Sequence, residues 1–271
     1  MFAFTHKGFK FGIDFNGGSV LEVSYDTRPT IEIITPALDK AGFGGVHIQM
    51  SGERDLILKT KELSETDHQK LVTALNFDKS LKMEEKRFNT IGPTIGSELR
   101  KNALISILLV ILGIVFFVAY AFRKVSLPIS SWKYGVVTTL TLFHDIIVPA
   151  GIFVWLGKEV DSLFVVALLS VMGVSVHDTI VVFDRIRENL KLRISNDFAV
   201  TVGKSLEQTF TRSINTSITV MIVLATLFFF GPASTKDFSL VLWIGIFVGT
   251  YSSIFIASPL LVVWEKRQRG N

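Results

Sequence analysis

Cysteine is absent from the 271-residue sequence, which excludes disulfide bonds and thiolate metal sites. The sequence also lacks a nucleophile–base set, a phosphate-binding loop and a metal-ligand spacing. We therefore expect that the protein is not an enzyme and that it binds neither a cofactor nor a metal ion. The first 97 residues contain no long apolar run, whereas the rest of the sequence contains several. That part of the chain is predicted to lie outside a membrane.

The remainder of the chain is strongly apolar. Hydrophobic residues make up 49% of the sequence, and the mean hydropathy is +0.46, values typical of a polytopic membrane protein. A helix needs roughly 20 apolar residues to cross about 30 Å of hydrocarbon. Segments that meet this requirement lie at about 99–122, 134–156, 162–183, 210–230 and 238–264. We predict a five-helix transmembrane domain over residues 98–265 and a tail over residues 266–271.

Basic residues are distributed unevenly among the predicted loops. The loops after the first and third spans and the C-terminal tail contain Arg123, Lys124, Lys133, Arg185, Arg187, Lys191, Arg193, Lys204, Lys266, Arg267 and Arg269. The other two short loops contain only Lys158 and Lys236. Because basic loops stay in the cytoplasm, we expect a cytoplasmic C-terminus and an external N-terminal domain. The basic residues that give the net charge of +4 are thus explained by the membrane topology. We therefore expect no nucleic-acid partner.

This topology requires the N-terminal domain to cross the membrane. Met1–Phe4 is too short for the apolar core of a signal peptide. We expect that a first transmembrane helix is missing, and we interpret residues 1–11 as an N-terminal remnant. The alternative is a five-span protein that exports its own N-terminal tail.

Residues 12–97 alternate between strand and helix patterns. Apolar alternation at Phe11–Phe15 and Ser19–Tyr25, on either side of Asn16-Gly17-Gly18, predicts a β-hairpin. From Ser19 onwards the predicted order is strand, helix, strand, strand, helix, strand, with a helix cap at Ser64. This order indicates a small extracytoplasmic α+β domain of the ferredoxin-like type.

Polar side chains line one face of three neighbouring predicted spans, since residues three, four or seven positions apart share a helix face. The stripes consist of Thr138, Thr141 and Asp145 with His144 alongside, of Ser175 and Asp178 with His177 alongside, and of Arg212, Asn215, Thr216 and Thr219. Lipid cannot satisfy such groups, so they must face one another or water. They form either a functional path or hydrogen bonds that join the helices.

Asp178 and Arg212 favour proton coupling. A nearby guanidinium favours the charged form of a carboxylate, so movement of Arg212 would make Asp178 release or bind a proton. Asp145 with His144 supplies a second titratable site. His177 adds an imidazole that either titrates or hydrogen-bonds a neighbouring helix.

Several motifs resemble those of SecF members of the bacterial SecD/SecF family, within the resistance–nodulation–division superfamily. The most specific one, Asp178–Asn189, is similar to the family's D-T-I-V-V-F-D-R-I-R-E-N block. Weaker resemblances are carried by Gly12–Gly18, Ile91–Leu99, His144-Asp145, Arg212–Ser217 and Gly249–Phe255. Together they cover the chain from about Gly12 to Trp264.

The resemblance implies half of a transporter that pairs with SecD in the bacterial cytoplasmic membrane and works with the SecY-E-G channel. The pair would use protons of the proton motive force to complete the export of unfolded polypeptides after ATP-driven translocation. Asp178 would be the membrane carboxylate and Arg212 its basic counterpart. Two features depart from the family, namely the missing first helix and His177, which stands where the family has Asn. A small-molecule or lipid exporter and a structural subunit without proton coupling are the alternatives.

Overall fold

The computed structural model describes residues 8–77, 81–123 and 129–269. Residues 1–7 of the proposed N-terminal remnant, the basic residue Lys124 and the last two tail residues lie outside these ranges. The described chain divides into an α/β unit, Phe11–Ala103 with Glu159–Ser162, and a membrane unit, which contains Leu104–Lys158 and the chain from Leu163 onward.

The elements of the α/β unit follow the predicted order. Its strands are β1 (Lys10–Phe11), β2 (Gly18–Tyr25), β3 (His47–Ser51), β4 (Asp55–Thr60), β5 (Met83–Ile91) and β6 (Glu159–Val160), and its helices are α1 (Ile13–Asn16), α2 (Ile31–Lys40) and α3 (Glu65–Leu75). From β2 to β5 this is the predicted strand–helix–strand–strand–helix–strand sequence. The predicted cap is confirmed, because the Ser64 hydroxyl accepts a hydrogen bond from the Asp67 backbone N–H at 3.2 Å.

One antiparallel sheet with the order β3-β4-β2-β5 forms the centre of this unit. Alternate residues of the two central strands point to one face, as the period-2 pattern requires. They pack against the apolar sides of α2 and α3 to form a core of Leu21, Val23, Tyr25, Ile34, Leu38, Leu56, Leu58, Leu71 and Leu75. The ferredoxin-like α+β prediction is confirmed.

The predicted hairpin at residues 11–25 is wrong. Only Lys10–Phe11 forms a strand, β1, and it pairs with β6, whereas Ile13–Asn16 form the short helix α1. The physical reason is that β2 already has β4 on one edge and β5 on the other, so neither edge is free for a hairpin partner. Gly17 and Gly18, with φ angles of +77° and +139°, redirect the chain between α1 and β2.

The membrane unit contains long apolar helices. They are α4 (Pro93–Ala121, which starts in the α/β unit), α5 (Ser131–Trp155), α6 (Ser162–Lys191), α7 (Phe198–Phe230) and α8 (Ala233–Ser252), and the shorter helix α9 (Ser258–Arg269) follows them. A short π-helix, Ser253–Ala257, joins α8 to α9, which makes five candidate spans in the described residues. Pro259 has no backbone N–H, so the ordinary α-helical bond is lost one turn earlier, where the π-helix lies. The chain is a multi-pass membrane protein of the expected type.

Helices α6 and α8 approach each other closely. A Cβ atom added to Gly245 would lie 2.2 Å from a Val171 methyl, and one added to Gly249 would lie 3.0 Å from the Ser175 Cβ. The four-residue spacing of these two glycines is typical of close helix contacts. Helix α8 therefore brings its backbone directly against the polar face of α6.

Candidate functional site

Asp145 is the most enclosed carboxylate of the membrane unit, with 0% of its surface exposed. Its Oδ2 accepts a short hydrogen bond from the Ser175 hydroxyl of α6 and a 2.7 Å bond from the Ser252 hydroxyl of α8. Its Oδ1 lies 2.9 Å from Nδ1 of His144, the preceding residue on α5. One carboxylate thus joins three helices.

The sequence around Asp145 also leaves its backbone carbonyl without an ordinary partner. Pro149 lies four residues later inside α5 and cannot donate the helical hydrogen bond. Thr138 and Thr141, on the same face of α5, are buried. Their hydroxyls donate to the carbonyls of their own helix at 2.8 and 2.9 Å. In the described structure the two threonines line the buried face, and Asp145 alone on that stripe bonds to other helices through its side chain.

Asp178 lies one helical turn after Ser175 and is 5% exposed. Nδ1 of His177 is 3.8 Å from its Oδ1, although most of the His177 side chain faces outward. Thr250 of α8 also lies beside the carboxylate and donates or accepts a 2.6 Å hydrogen bond with Ser217 of α7. Asp178 therefore lies where α6, α7 and α8 meet, with fewer and longer polar contacts than Asp145.

Arg212 lies near Asp178 without forming a close pair. The guanidinium attracts the carboxylate electrostatically, yet among the ion pairs of the described chain Asp178 contacts only His177 within 4.0 Å. The Arg212 side chain is exposed and lines a polar cleft between α6 and α7 that includes Asp184, Arg185 and Gln208. The structure does not pair Asp178 directly with Arg212, and direct contact requires a movement of the arginine.

The rest of the predicted stripe on α7 faces outward. Asn215, Thr216 and Thr219 are exposed, and the two threonine hydroxyls donate to the carbonyls four residues earlier. Their polar groups are therefore not used to bind any other described helix. The structure places this stripe on the surface of the chain, whereas the stripes of α5 and α6 are inside.

A second stripe on α7, which the sequence analysis overlooked, faces inward. It consists of hydroxyl residues at every fourth position, Ser205, Thr209, Ser213 and Ser217, all of which are buried. Ser205 accepts a 2.8 Å hydrogen bond from Asn189 of α6. The four-residue spacing was the available signal, and it was overshadowed by the charged and amide residues on the neighbouring face. Ser252 was likewise missed, although it belongs to the Gly249–Phe255 motif.

The arrangement is suited to holding protons and not to holding metal ions. Across residues 8–77, 81–123 and 129–269, no three His, Asp or Glu side chains converge as metal ligands would. Asp145 accepts a hydrogen bond from Ser175, and Asp178 lies one helical turn after Ser175 on the same helix. Arg212 lies within electrostatic range of Asp178. Such a set can change its protonation when the arginine or a helix moves.

Comparison with known proteins gives a consistent relationship. A family model described as "Protein export membrane protein SecD/SecF, C-terminal" matches residues 71–267, and one described as "SecD/SecF GG Motif" matches residues 2–27. The chain is 42% identical to the protein translocase subunit SecF of Thermobaculum terrenum, over 96% of this chain and 86% of that protein.

Longer relatives match in the same way. The protein translocase subunit SecDF of Thermus thermophilus is 36% identical over 97% of this chain, which covers 36% of that protein. The crystal structure of SecDF from Thermus thermophilus superimposes with a TM-score of 0.83 at 34% identity, again over 97% of this chain and 36% of that one. This chain thus spans about a third of those longer proteins. Its sequence, its fold and its membrane helices together show that the chain belongs to the SecD/SecF family of protein-export membrane proteins.

Proposed function

We propose that this chain is an accessory subunit of the Sec protein translocase that works with SecD. The pair uses the proton motive force to complete protein export across the bacterial cytoplasmic membrane after ATP-driven translocation. The observation that carries the proposal is the buried Asp178, with Arg212 within electrostatic range but outside direct contact. An ionisable group buried in a membrane helix is costly and is usually retained for function.

Two carboxylates suggest two roles. Asp145 accepts hydrogen bonds from two other helices and contacts His144, so it holds α5, α6 and α8 together. Asp178 has a single ionic contact within the described structure, at 3.8 Å from His177. The less restrained group is the better proton carrier, because its environment changes when Arg212 approaches. We assign proton exchange to Asp178 and positioning of its helix to Asp145, Ser175 and Ser252.

SecD is the proposed partner for the outward stripe of α7. In the SecDF relatives, a segment like this chain is one part of a longer polypeptide. The exposed polar groups of Arg212, Asn215, Thr216 and Thr219 need a polar neighbour within a membrane. SecD would supply that neighbour, the SecY-E-G channel would receive the translocating unfolded polypeptide, and protons would drive the cycle.

The orientation is part of the proposal. The basic residues around α6, α7 and the tail favour a cytoplasmic C-terminus and an extracytoplasmic α/β unit. Protons would then enter from the side of the α/β unit, and the polar cleft next to Arg212 would face the cytoplasm.

The test is Asp178→Asn in the full chain, reconstituted with SecD and the SecY-E-G channel in vesicles. We expect the proton-gradient-dependent part of polypeptide export to be lost while SecD still co-purifies. Asp237→Asn is the matched control, because this partly exposed carboxylate forms an ion pair with Lys158 at 2.8 Å. Full export by Asp178→Asn would refute the relay.

A structural subunit without proton coupling is the second candidate, and the hydrogen bonding of Asp145 favours it. That candidate predicts that SecD is lost from the purified Asp178→Asn complex. It also predicts that export falls only in proportion to the amount of assembled complex that is lost. Measuring export per assembled complex therefore separates the two candidates.

A further inference from the structure

We propose that Asp14 is a positioning residue that couples the α/β unit to the helix carrying Asp178. Asp14 lies in α1, and its Oδ2 accepts a 2.8 Å hydrogen bond from the backbone N–H of Ser162, as well as a short bond from the Ser162 hydroxyl. Ser162 is the first residue of α6. The proposal rests on the proposed function, since it concerns how proton exchange at Asp178 is linked to movement of the α/β unit.

The contact uses two general properties of a helix start. The first backbone N–H groups of a helix have no partner within the helix, and the helix dipole makes that end positive. A carboxylate that accepts a hydrogen bond from one of these N–H groups gives that group a partner and also places a negative charge at the positive end of the dipole. Here the carboxylate is provided by a residue 148 positions earlier in the chain. Asp14 thus fixes the start of α6 to a distant segment of the chain.

The segment that carries Asp14, Gly12–Gly18, is itself held firmly. The Gly12 N–H donates a 2.8 Å hydrogen bond to the Val160 carbonyl, beside the two-stranded pairing of β1 with β6. A Cβ atom added to Gly18 would lie 2.6 Å from the Thr60 carbonyl at the end of β4. No side chain fits there, so the segment packs backbone to backbone against the central sheet.

The same segment also contacts the start of α4. A Cβ atom on Gly17 would lie 3.0 Å from Pro93, and one on Gly96 would lie 3.0 Å from the Gly17 backbone nitrogen. One short turn therefore touches the sheet and the first residues of two spanning helices. An ion pair of 2.6 Å between Lys59 of β4 and Glu159 of β6 reinforces the connection next to α6.

The consequence for proton coupling follows from helix geometry. α6 is continuous from Ser162 to Lys191, and Asp178 lies 16 residues after Ser162. At 1.5 Å per residue, this places Asp178 about 24 Å along the axis from the Asp14 contact. A displacement of α6 that accompanies proton exchange would be passed to the α/β unit through Asp14, and the contact would stay closed throughout the cycle.

The experiment compares two readouts on the same reconstituted complex of the full chain with SecD and the SecY-E-G channel in vesicles. A pH-sensitive dye reports gradient-driven proton entry, and protease protection of a polypeptide substrate reports export. We expect Asp14→Ala to reduce gradient-dependent export several-fold while proton entry is retained, because the start of α6 loses the acceptor that holds it to the α/β unit. Asp14→Asn keeps an acceptor oxygen at the same place and should restore most of the export.

The matched control is Asp67→Ala. The carboxylate of this aspartate also lies in the α/β unit, accepts a 2.8 Å hydrogen bond from the Ser64 hydroxyl at a helix start and forms a surface ion pair with Lys70 at 2.9 Å. Both variants remove a carboxylate that bonds to a serine at a helix start, yet only Asp14 contacts a spanning helix. Export should be unchanged in Asp67→Ala. If both variants reduce export equally, general destabilisation of the unit explains the result and the proposal fails.

If Asp14→Ala abolishes both proton entry and export, a disulfide cross-link tests whether the contact itself is what is needed. The chain has no cysteine of its own, so Asp14→Cys combined with Ser162→Cys introduces a single thiol pair. Oxidation should restore both readouts, and reduction should abolish export again. Failure of the oxidised pair to export would show that the contact must open or is unimportant, and would overturn the proposal.

The outcomes also separate this inference from the proposed function. If proton entry in the unmodified complex does not depend on Asp178, the proposed function fails whatever Asp14 does. If proton entry depends on Asp178 and Asp14→Ala still exports normally, only the coupling role of Asp14 fails.

Discussion

Helices α6 and α7 carry similar polar stripes in the sequence but use them differently in the structure. On α6, Ser175 and Asp178 are buried and face other helices of the same chain. On α7, Arg212 and its neighbours are exposed, while a second stripe of hydroxyl residues faces inward. The difference teaches that a polar stripe in a membrane helix shows that a polar neighbour is needed, and does not show which molecule provides it.

The packing of α8 explains the contrast. Gly245 and Gly249 let the backbone of α8 approach α6, so the polar face of α6 is covered within the chain. The inward face of α7 meets α8 through Ser217 and Thr250. Its outward face has no such cover among the described helices, and we assign that cover to SecD.

The largest effect is expected from Gly245→Ala. The new methyl would overlap the buried Val171 side chain at 2.2 Å, and overpacking of this kind costs about 1–3 kcal/mol. α6 would then move away from α8 and expose its polar face. The measurement is the thermal unfolding midpoint of the purified protein in detergent. Gly173→Ala on α6 is the control, since nothing lies within 4 Å of its added Cβ; an equal loss in both variants would contradict the packing argument.

A somewhat smaller effect is expected from Asp145→Ala. The substitution leaves the hydroxyls of Ser175 and Ser252 without their shared acceptor, and interhelical hydrogen bonds in membranes contribute about 0.6–2 kcal/mol each. We expect a destabilisation of about 2 kcal/mol by the same measurement, and less for Asp145→Asn, which keeps one acceptor oxygen. Equal stability of both variants and the unmodified protein would show that the three-helix junction does not depend on this carboxylate.

Adjacent residues on α7 provide the sharpest form of the comparison. Ser217→Ala removes the 2.6 Å hydrogen bond with Thr250, so it should lower stability by roughly 0.6 kcal/mol. Thr216→Ala removes an exposed hydroxyl bonded to its own helix, so the stability of the isolated chain should not change. The second variant should instead weaken co-purification with SecD. The opposite pattern would mean that the inner and outer faces of α7 are assigned wrongly.

The smallest effect is expected from a polar pair in the water-exposed α/β unit. Partial burial raises the pKa of Asp55, but hydrogen bonds from Lys86 and Ser24 outweigh burial and lower the pKa overall. Because the pKa is lower in the folded state, the stabilisation is present above the pKa of the unfolded chain and is lost as the pH falls through the folded value.

Asp55→Asn should therefore cost at most about 1 kcal/mol near neutral pH and nothing in strong acid, since this ion pair is partly exposed. Hydrogen exchange of β4 amides, compared between variant and unmodified protein at each pH, measures the difference. A cost that persists in acid would mean that the stabilisation does not come from the charged carboxylate.

Local patterns were enough to predict much of the fold. The ferredoxin-like order followed from short alternating runs, and the Ser64 cap followed from its spacing to Asp67. The four-residue spacing of Gly245 and Gly249 is likewise a local pattern, and it is typical of a close helix contact. Each of these depends on residues close together in the chain, which is why sequence periodicity detects them.

The hairpin at residues 11–25 was mispredicted for the opposite reason. Its turn chemistry is locally favourable, but β2 pairs with β4 and β5, and both arrive later in the chain. The hydrogen bond that the Ser162 N–H donates to Asp14 spans 148 positions and has no local signature. The sequence shows the four-residue spacing of the inward stripe of α7. Which face of α7 is buried, this stripe or the face with Arg212, depends on where α8 packs.

The sequence by itself determined that this chain crosses a membrane, carries a small α+β domain and bears ionisable groups within its spans. Hydrophobicity, periodicity and charge are properties of neighbouring residues, so no folded structure is needed to read them. Only the tertiary structure decided that Asp145 joins three helices, that Asp178 keeps its distance from Arg212 and that Asp14 holds the start of α6. Those contacts depend on how helices far apart in the chain approach each other, which is set by packing and not by any single segment.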